Sequence, residues 1–206
     1  MKRLFTVMLL TLSWVLIWAD SPLTSTDFAK SYKHHAMVQK AMQLSDDSDV
    51  DIPVSMLNFL ADKKSPIDVR LAVVNAIGWN FNGKTLGQQL YDYLSTRHKA
   101  KTVDKLAKKL DAGTLAVYAY ALALSDYFDV KEAQDLAHKA VKKNKTKSFS
   151  VAFIASLIDA QVYLDSDWGQ VYKVVNNVLH DGSLHLDMRQ EAIDNVMEYI
   201  GIYKEY

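Results

Sequence analysis

Thr114-Leu115-Ala116-Val117-Tyr118-Ala119-Tyr120-Ala121-Leu122-Ala123-Leu124 is apolar at nearly every position, and its reading decides the fold. A buried strand of this length would be rich in β-branched residues, whereas alanine dominates here. A helix apolar on all sides is one buried at the centre of a packed array. The stretch 114–128 therefore reads as the central helix of an all-α domain.

Working outward, Asp129 and Glu132 have the spacing of a capping box, which opens a helix over about 129–144. Two more helices follow at about 148–164 and 167–180. A last one begins at a second capping box, Asp187 with Gln190, and runs to about 203. On the N-terminal side, 102–110 is a short basic helix, and Leu86, Leu90 and Leu94 form one apolar stripe of another. Before it, Ser65 can cap a helix with Pro66 at its first position and Asp68 in its first turn, ending near Gly78. Pro53 opens a helix to about 62, and Thr26 is a candidate N-cap for a helix over 27–44. No segment reads as a strand. The short connections predict antiparallel helical hairpins.

The chain has 206 residues, 50% hydrophobic and 23% charged, with no cysteine. That balance excludes a disordered chain and a disulfide scaffold, and it removes cysteine catalysis and lipobox lipidation. The first residues have the layout of a secretory signal: Lys2 and Arg3, then the apolar run to Trp18, then Ala19 before Asp20, Ser21 and Pro22. The run is shorter than the roughly 20 apolar residues of a membrane span. The expected organisation is thus a signal peptide over 1–19 and a single helical domain over 20–206. The mature protein is expected to be periplasmic or secreted, with no stable membrane span after cleavage.

Two stretches carry a resemblance. Ser65-Pro66-Ile67-Asp68-Val69-Arg70-Leu71-Ala72-Val73-Val74-Asn75-Ala76-Ile77-Gly78 is similar to the second helix of a HEAT repeat. Residues 117–144 resemble a tetratricopeptide repeat, with Val117, Tyr120, Ala121 and Leu124 at the contact positions of its first helix. Ala133, Ala137 and Ala140 stand at the small-residue positions of its second. Val171, Val175 and Val178 occupy the corresponding places 38 residues on, which departs from the tetratricopeptide period of about 34. The match covers one good repeat and one degenerate one. It implies a TPR/HEAT-like α-solenoid or a compact helical array, with an irregular bundle as the structural alternative, and a role in binding proteins or peptides.

Charge is unevenly spread. Residues 97–147 hold 12 basic and 6 acidic side chains, and 148–206 hold 3 basic and 9 acidic. Solvated helix faces that partly complement one another account for this. Near-absence of arginine and the slightly acidic mature chain argue against nucleic acid. An acidic protein or an anionic surface is the better functional match for the lysines.

Candidate chemistry is sparse. His34 and His35 are adjacent and point about 100° apart on a helix. His180 and His185 flank Gly182, with Asp181 and Asp187 near, a weak metal-binding pattern that a helix end explains as well. Asp47-Ser48-Asp49-Val50-Asp51 begins like an EF-hand loop but has Ile52 and Asn58 where glycine and glutamate belong. The run from Asp165 to Gly169 fails in the same way, with Asn176 at its twelfth position. No nucleophile elbow and no phosphate-binding loop occurs. No catalytic residue, metal or cofactor is therefore assigned.

The most distinctive local sequence is Gly78-Trp79-Asn80-Phe81-Asn82-Gly83. Large aromatics beside amides in a glycine-bounded turn suit stacking and hydrogen bonding to a peptide or sugar. Trp79, Asn80, Phe81 and Asn82 are the candidate binding residues; the plainer reading is that Trp79 and Phe81 bury into the neighbouring hairpin while the asparagines close the helix end. The expected function is an exported helical-repeat interaction module or scaffold without catalysis. The alternative is an exported hydrolase acting on envelope or extracellular material through dispersed acidic residues.

Overall fold

The computed structural model describes residues 21–44, 51–79 and 84–206. Within them lie ten α-helices and no strand: α1 (Ala36–Leu44), α2 (Val54–Ala61), α3 (Ile67–Ile77), α4 (Leu86–His98), α5 (Val103–Lys109), α6 (Ala112–Ser125), α7 (Lys131–Lys143), α8 (Phe149–Leu164), α9 (Trp168–Leu179) and α10 (Gln190–Ile200). Short 3-10 helices precede and close this series, at Phe28–Tyr32 and Gly201–Tyr203. None of the described helices is long and apolar enough to cross a membrane.

The centre is α6, as its composition demands. Every residue from Thr114 to Ala121 is buried, and so are Ala123 and Leu124. Asp111 caps it, accepting from the Thr114 N–H at 3.0 Å. α4 lies against α6 with Leu90 and Leu94 fully buried. Gly87 permits the approach: a Cβ there would meet Ser125 Oγ at 2.6 Å and the backbone of Leu122 at 3.0 Å. α6 and α7 form one hairpin, and α8 and α9 the next. α8 packs against both α6 and α7, so each hairpin nests on the one before it. Ala133, Ala137 and Ala140 of α7 are buried at that seam, as are Val171 and Val175 of α9.

α8 is a second central helix, buried at every residue from Phe149 to Ile158. Its N-terminus is held from two directions. Ser148 Oγ accepts from Val151 N at 3.3 Å, and Asp187 Oδ1 accepts from Ser150 N at 2.8 Å. Asp187 thus caps α8, not the helix that follows it, and α10 begins three residues later with no side-chain cap. The main chain of residues 147–149 pairs there with His185, which donates to the Lys147 carbonyl at 2.7 Å and accepts from Phe149 N at 2.9 Å.

A single helix over 27–44 does not form. The chain makes a 3-10 turn at Phe28–Tyr32, turns through 33–35, and only then enters α1. Tertiary anchors override local propensity here. Phe28 stacks on Tyr120 at 6.2 Å, and Ala29 N donates to Asn75 Oδ1 at 2.8 Å. Thr26, expected as the cap, donates its hydroxyl to Pro22 O instead.

The last helix returns to this N-terminal turn. Arg189 N donates to Tyr32 Oη at 3.2 Å, its guanidinium lies 4.7 Å over the Tyr32 ring, and Nη1 donates to Ser31 O at 2.8 Å. Asn195 Nδ2 adds a bond to Ser31 Oγ at 2.8 Å. The hairpins therefore close on themselves as a compact helical array, the second of the two architectures expected.

Among the described residues one charged side chain is buried in this core. Arg70 of α3 is 3% exposed and donates from Nη1 to Leu60 O and Thr114 Oγ1. Its Nε has no partner. Burial pushes its pKa down, opposed by the Asp111 and Asp62 carboxylates. It ties the end of α2 to the start of α6.

Candidate functional site

Where α3 ends, Gly78 takes a left-handed conformation, φ +73°, that a side chain would strain. The turn carries Trp79 onto the wall of an open cavity of about 770 Å³. Leu23, Met42, Ala76, Ile77 and Leu124 give the cavity an apolar lining, and Thr26, Asp27, Lys30 and Lys33 give it a polar one. A volume of this size suits a peptide segment or a small ligand.

Trp79 is 48% exposed and meets the edge of Tyr127 at 5.9 Å and 77°. It is neither fully buried in the next hairpin nor fully free of it. Asn80, Phe81 and Asn82 lie outside the described residues.

The N-terminal segment supplies the opposite wall, and its placement depends on Asn75. That amide accepts from Ala29 N and donates from Nδ2 to Thr26 O and to Tyr120 Oη, both at 2.9 Å. Tyr120 is completely buried, and burial pushes its hydroxyl pKa up, so it stays a neutral partner. On the rim Lys30 pairs with Asp27 at 2.9 Å, and the carboxylate raises the lysine pKa. Sequence reasoning missed Asn75, Asp27, Lys30 and Lys33. The legible hint was one amide inside the apolar run from Val69 to Ile77.

The histidines are dispersed. His35 Nδ1 accepts from Met37 N, and its ring lies against Phe59. His180 Nδ1 bonds the Asn176 carbonyl at 2.9 Å, at the end of α9. His185 engages through its backbone. His138 Nε2 meets Asp159 Oδ1 at 2.8 Å, and Gln134 donates to the same oxygen at 2.7 Å, a polar clasp between α7 and α8. Among the described residues no three His, Asp or Glu side chains come together as a metal site. Asp167 caps α9 through Gln170 N at 3.3 Å, and Asp51 pairs with Lys84 at 3.4 Å, while residues 45–50 lie outside the described part.

Compared with models of known families, with curated proteins and with solved structures, the chain gives no match.

Proposed function

We propose that this chain is an exported interaction protein of the TPR/HEAT-like kind, without catalytic activity, whose cavity beside Trp79 receives a segment of another protein. The observation that carries the reading is the cavity itself: open, apolar in its depth, polar at its rim, and walled by a half-exposed tryptophan. Aromatic anchors in such positions contribute heavily to peptide binding. The nesting of successive hairpins supports the family reading, because tetratricopeptide and HEAT arrays bind partners on surfaces built from stacked hairpins. Lys2, Arg3 and the apolar run to Ala19 support export, to the periplasm or beyond the cell.

The test uses the mature chain, residues 20–206, in a selection from a displayed random-peptide library. Enriched peptides are expected to bind the parent and to lose about tenfold or more in affinity with Trp79→Ala. Val141→Ala, at the end of α7 remote from Tyr127, should bind as the parent does. Peptides indifferent to Trp79, or no enrichment at all, would sink the reading. N-terminal sequencing of the protein recovered from an exporting cell checks the signal, with Asp20 expected first.

A further inference from the structure

Nine of the eleven lysines of residues 97–147 divide into two groups once their partners are known. Three are used inside the fold. Lys109 Nζ donates to the His98 carbonyl at 2.6 Å, covering the C-terminal end of α4. Lys143 Nζ donates to the carbonyls of Ala107, Lys108 and Leu110, covering the end of α5. Lys139 pairs with Asp104 at 2.9 Å. Cations at helix C-termini meet the negative end of the dipole, so these contacts bring the ends of α4, α5 and α7 to one corner of the array.

A second group covers that corner from outside. Lys99, Lys101, Lys105, Lys108, Lys142 and Lys145 are all exposed, and none has a carboxylate within 4 Å among the described residues. The exposed acid among them, Asp104, is already held by Lys139. The other acids of α7 and the turn before it, Asp126, Asp129, Glu132 and Asp135, sit in or before the first half of that helix, away from its lysine-rich end.

Backbone conformation adds an independent sign. The two non-glycine residues with positive φ among the described residues are both lysines of this region, Lys99 at 49° and Lys147 at 53°. Lys99 is the C-cap of α4, where glycine would be adopted without strain. Strain that the fold could shed by one substitution, and that carries a charge instead, points to a use for the charge.

We propose that this lysine ridge, where α4, α5 and α7 end, docks a carboxylate-rich segment of a partner polypeptide. The side-chain chemistry selects that partner. Lysine offers compact point charges, and the region has a single arginine, Arg97, whose Nη1 donates to Tyr93 Oη at 3.1 Å. The ridge is therefore built from ammonium groups and not from the guanidinium forks that grip phosphate in bidentate fashion. Among the described residues no large exposed aromatic stands with the six lysines for bases to stack on. Among the described residues Val141 is the one large apolar side chain exposed beside them, too little to enter a lipid interface. A chain of Asp and Glu residues needs only spaced ammonium groups on a rigid support.

The test is fluorescence anisotropy of a labelled Glu/Asp-rich peptide titrated with the mature chain at low and at physiological ionic strength. Binding is expected, weaker at higher salt, and reduced about tenfold or more by the combined Lys105→Glu, Lys108→Glu and Lys142→Glu changes. Lys173→Glu on α9 and Trp79→Ala should leave it unchanged, which separates the ridge from the cavity. Lys99→Gly should weaken binding while the thermal midpoint stays level or rises, an outcome a purely structural lysine would not give. The proposal is overturned if the peptide does not bind, or if the triple variant, folded by circular dichroism, binds like the parent. It is overturned equally by tighter binding to anionic vesicles or oligothymidylate than to the peptide. Self-association abolished by the same triple variant would assign the ridge to a second copy of the chain instead, and so also overturn it.

Discussion

Asn75→Ala is the most informative single perturbation of the cavity. The amide makes three hydrogen bonds, to Ala29 N, Thr26 O and Tyr120 Oη, and all three partners belong to buried residues. Alanine leaves the Ala29 N–H and the Tyr120 phenol without partners, while Thr26 O keeps its bond from Phe28 N at 3.0 Å. A buried polar group left unpaired costs about 1–3 kcal/mol. Two such groups, partly relieved by water from the adjoining cavity, should cost about 3 kcal/mol. For a domain of this size that lowers the melting midpoint by roughly 6–12 °C. Urea unfolding gives the free energy, and hydrogen exchange read by mass spectrometry gives its location. Amides of residues 26–32 should lose protection before those of α6 and α8. Tyr120→Phe, combined in a double-mutant cycle, should show a coupling of about 0.5–1.5 kcal/mol. A loss below about 1 kcal/mol with residues 26–32 still protected would refute the claim that Asn75 holds the N-terminal wall.

Other substitutions follow from the same contacts. Gly87→Ala should cost about 1–3 kcal/mol in urea unfolding, because its Cβ meets the α6 backbone as well as Ser125. Lys143→Met should cost about 1 kcal/mol by losing its contacts to the end of α5. Asp187→Ala should cost about 1–2 kcal/mol and expose the first-turn amides of α8, not those of α10, to hydrogen exchange. Burial pushes the Asp111 pKa up, but the hydrogen bonds from Thr114 and the charge of Arg70 outweigh it and leave the carboxyl below its ordinary value. Its stabilisation is therefore complete above the unfolded-state pKa of about 3.9 and is lost as pH falls through the lowered folded value. Asp111→Asn should narrow the stability gap to the parent as pH is lowered across that range, as checked by urea midpoints at stepped pH.

Much of the architecture was legible because burial leaves a compositional trace. The all-apolar run of α6 and the Leu86, Leu90, Leu94 stripe fell where their patterns put them. So did the buried alanines of α7. What was not legible depends on partners distant in sequence. Asp187 has the spacing of a cap for its own helix, yet its carboxylate serves α8, 37 residues back. The break at 33–35 follows from Asn75 and Tyr120, which no local pattern at 27–44 contains. The candidate site divides in the same way. Trp79 stood out as an aromatic beside a glycine, whereas the opposite wall needed the N-terminal segment to be placed first. The capping lysines were invisible for a related reason: their acceptors are backbone carbonyls 10 to 36 residues away, and carbonyls have no signature in sequence.

The junction between Tyr32 and Arg189 bears on how the chain comes together in time. A linear array of hairpins can grow from any point, each unit completing itself on its neighbour. Here the pocket for Tyr32 is finished only by a residue 157 positions later. An emerging polypeptide must hold that ring uncovered until almost all of the chain has been made, and closing so long a loop slows folding. In exchange, the turn at Phe28–Tyr32 is tied to the last helix, and the two should melt together.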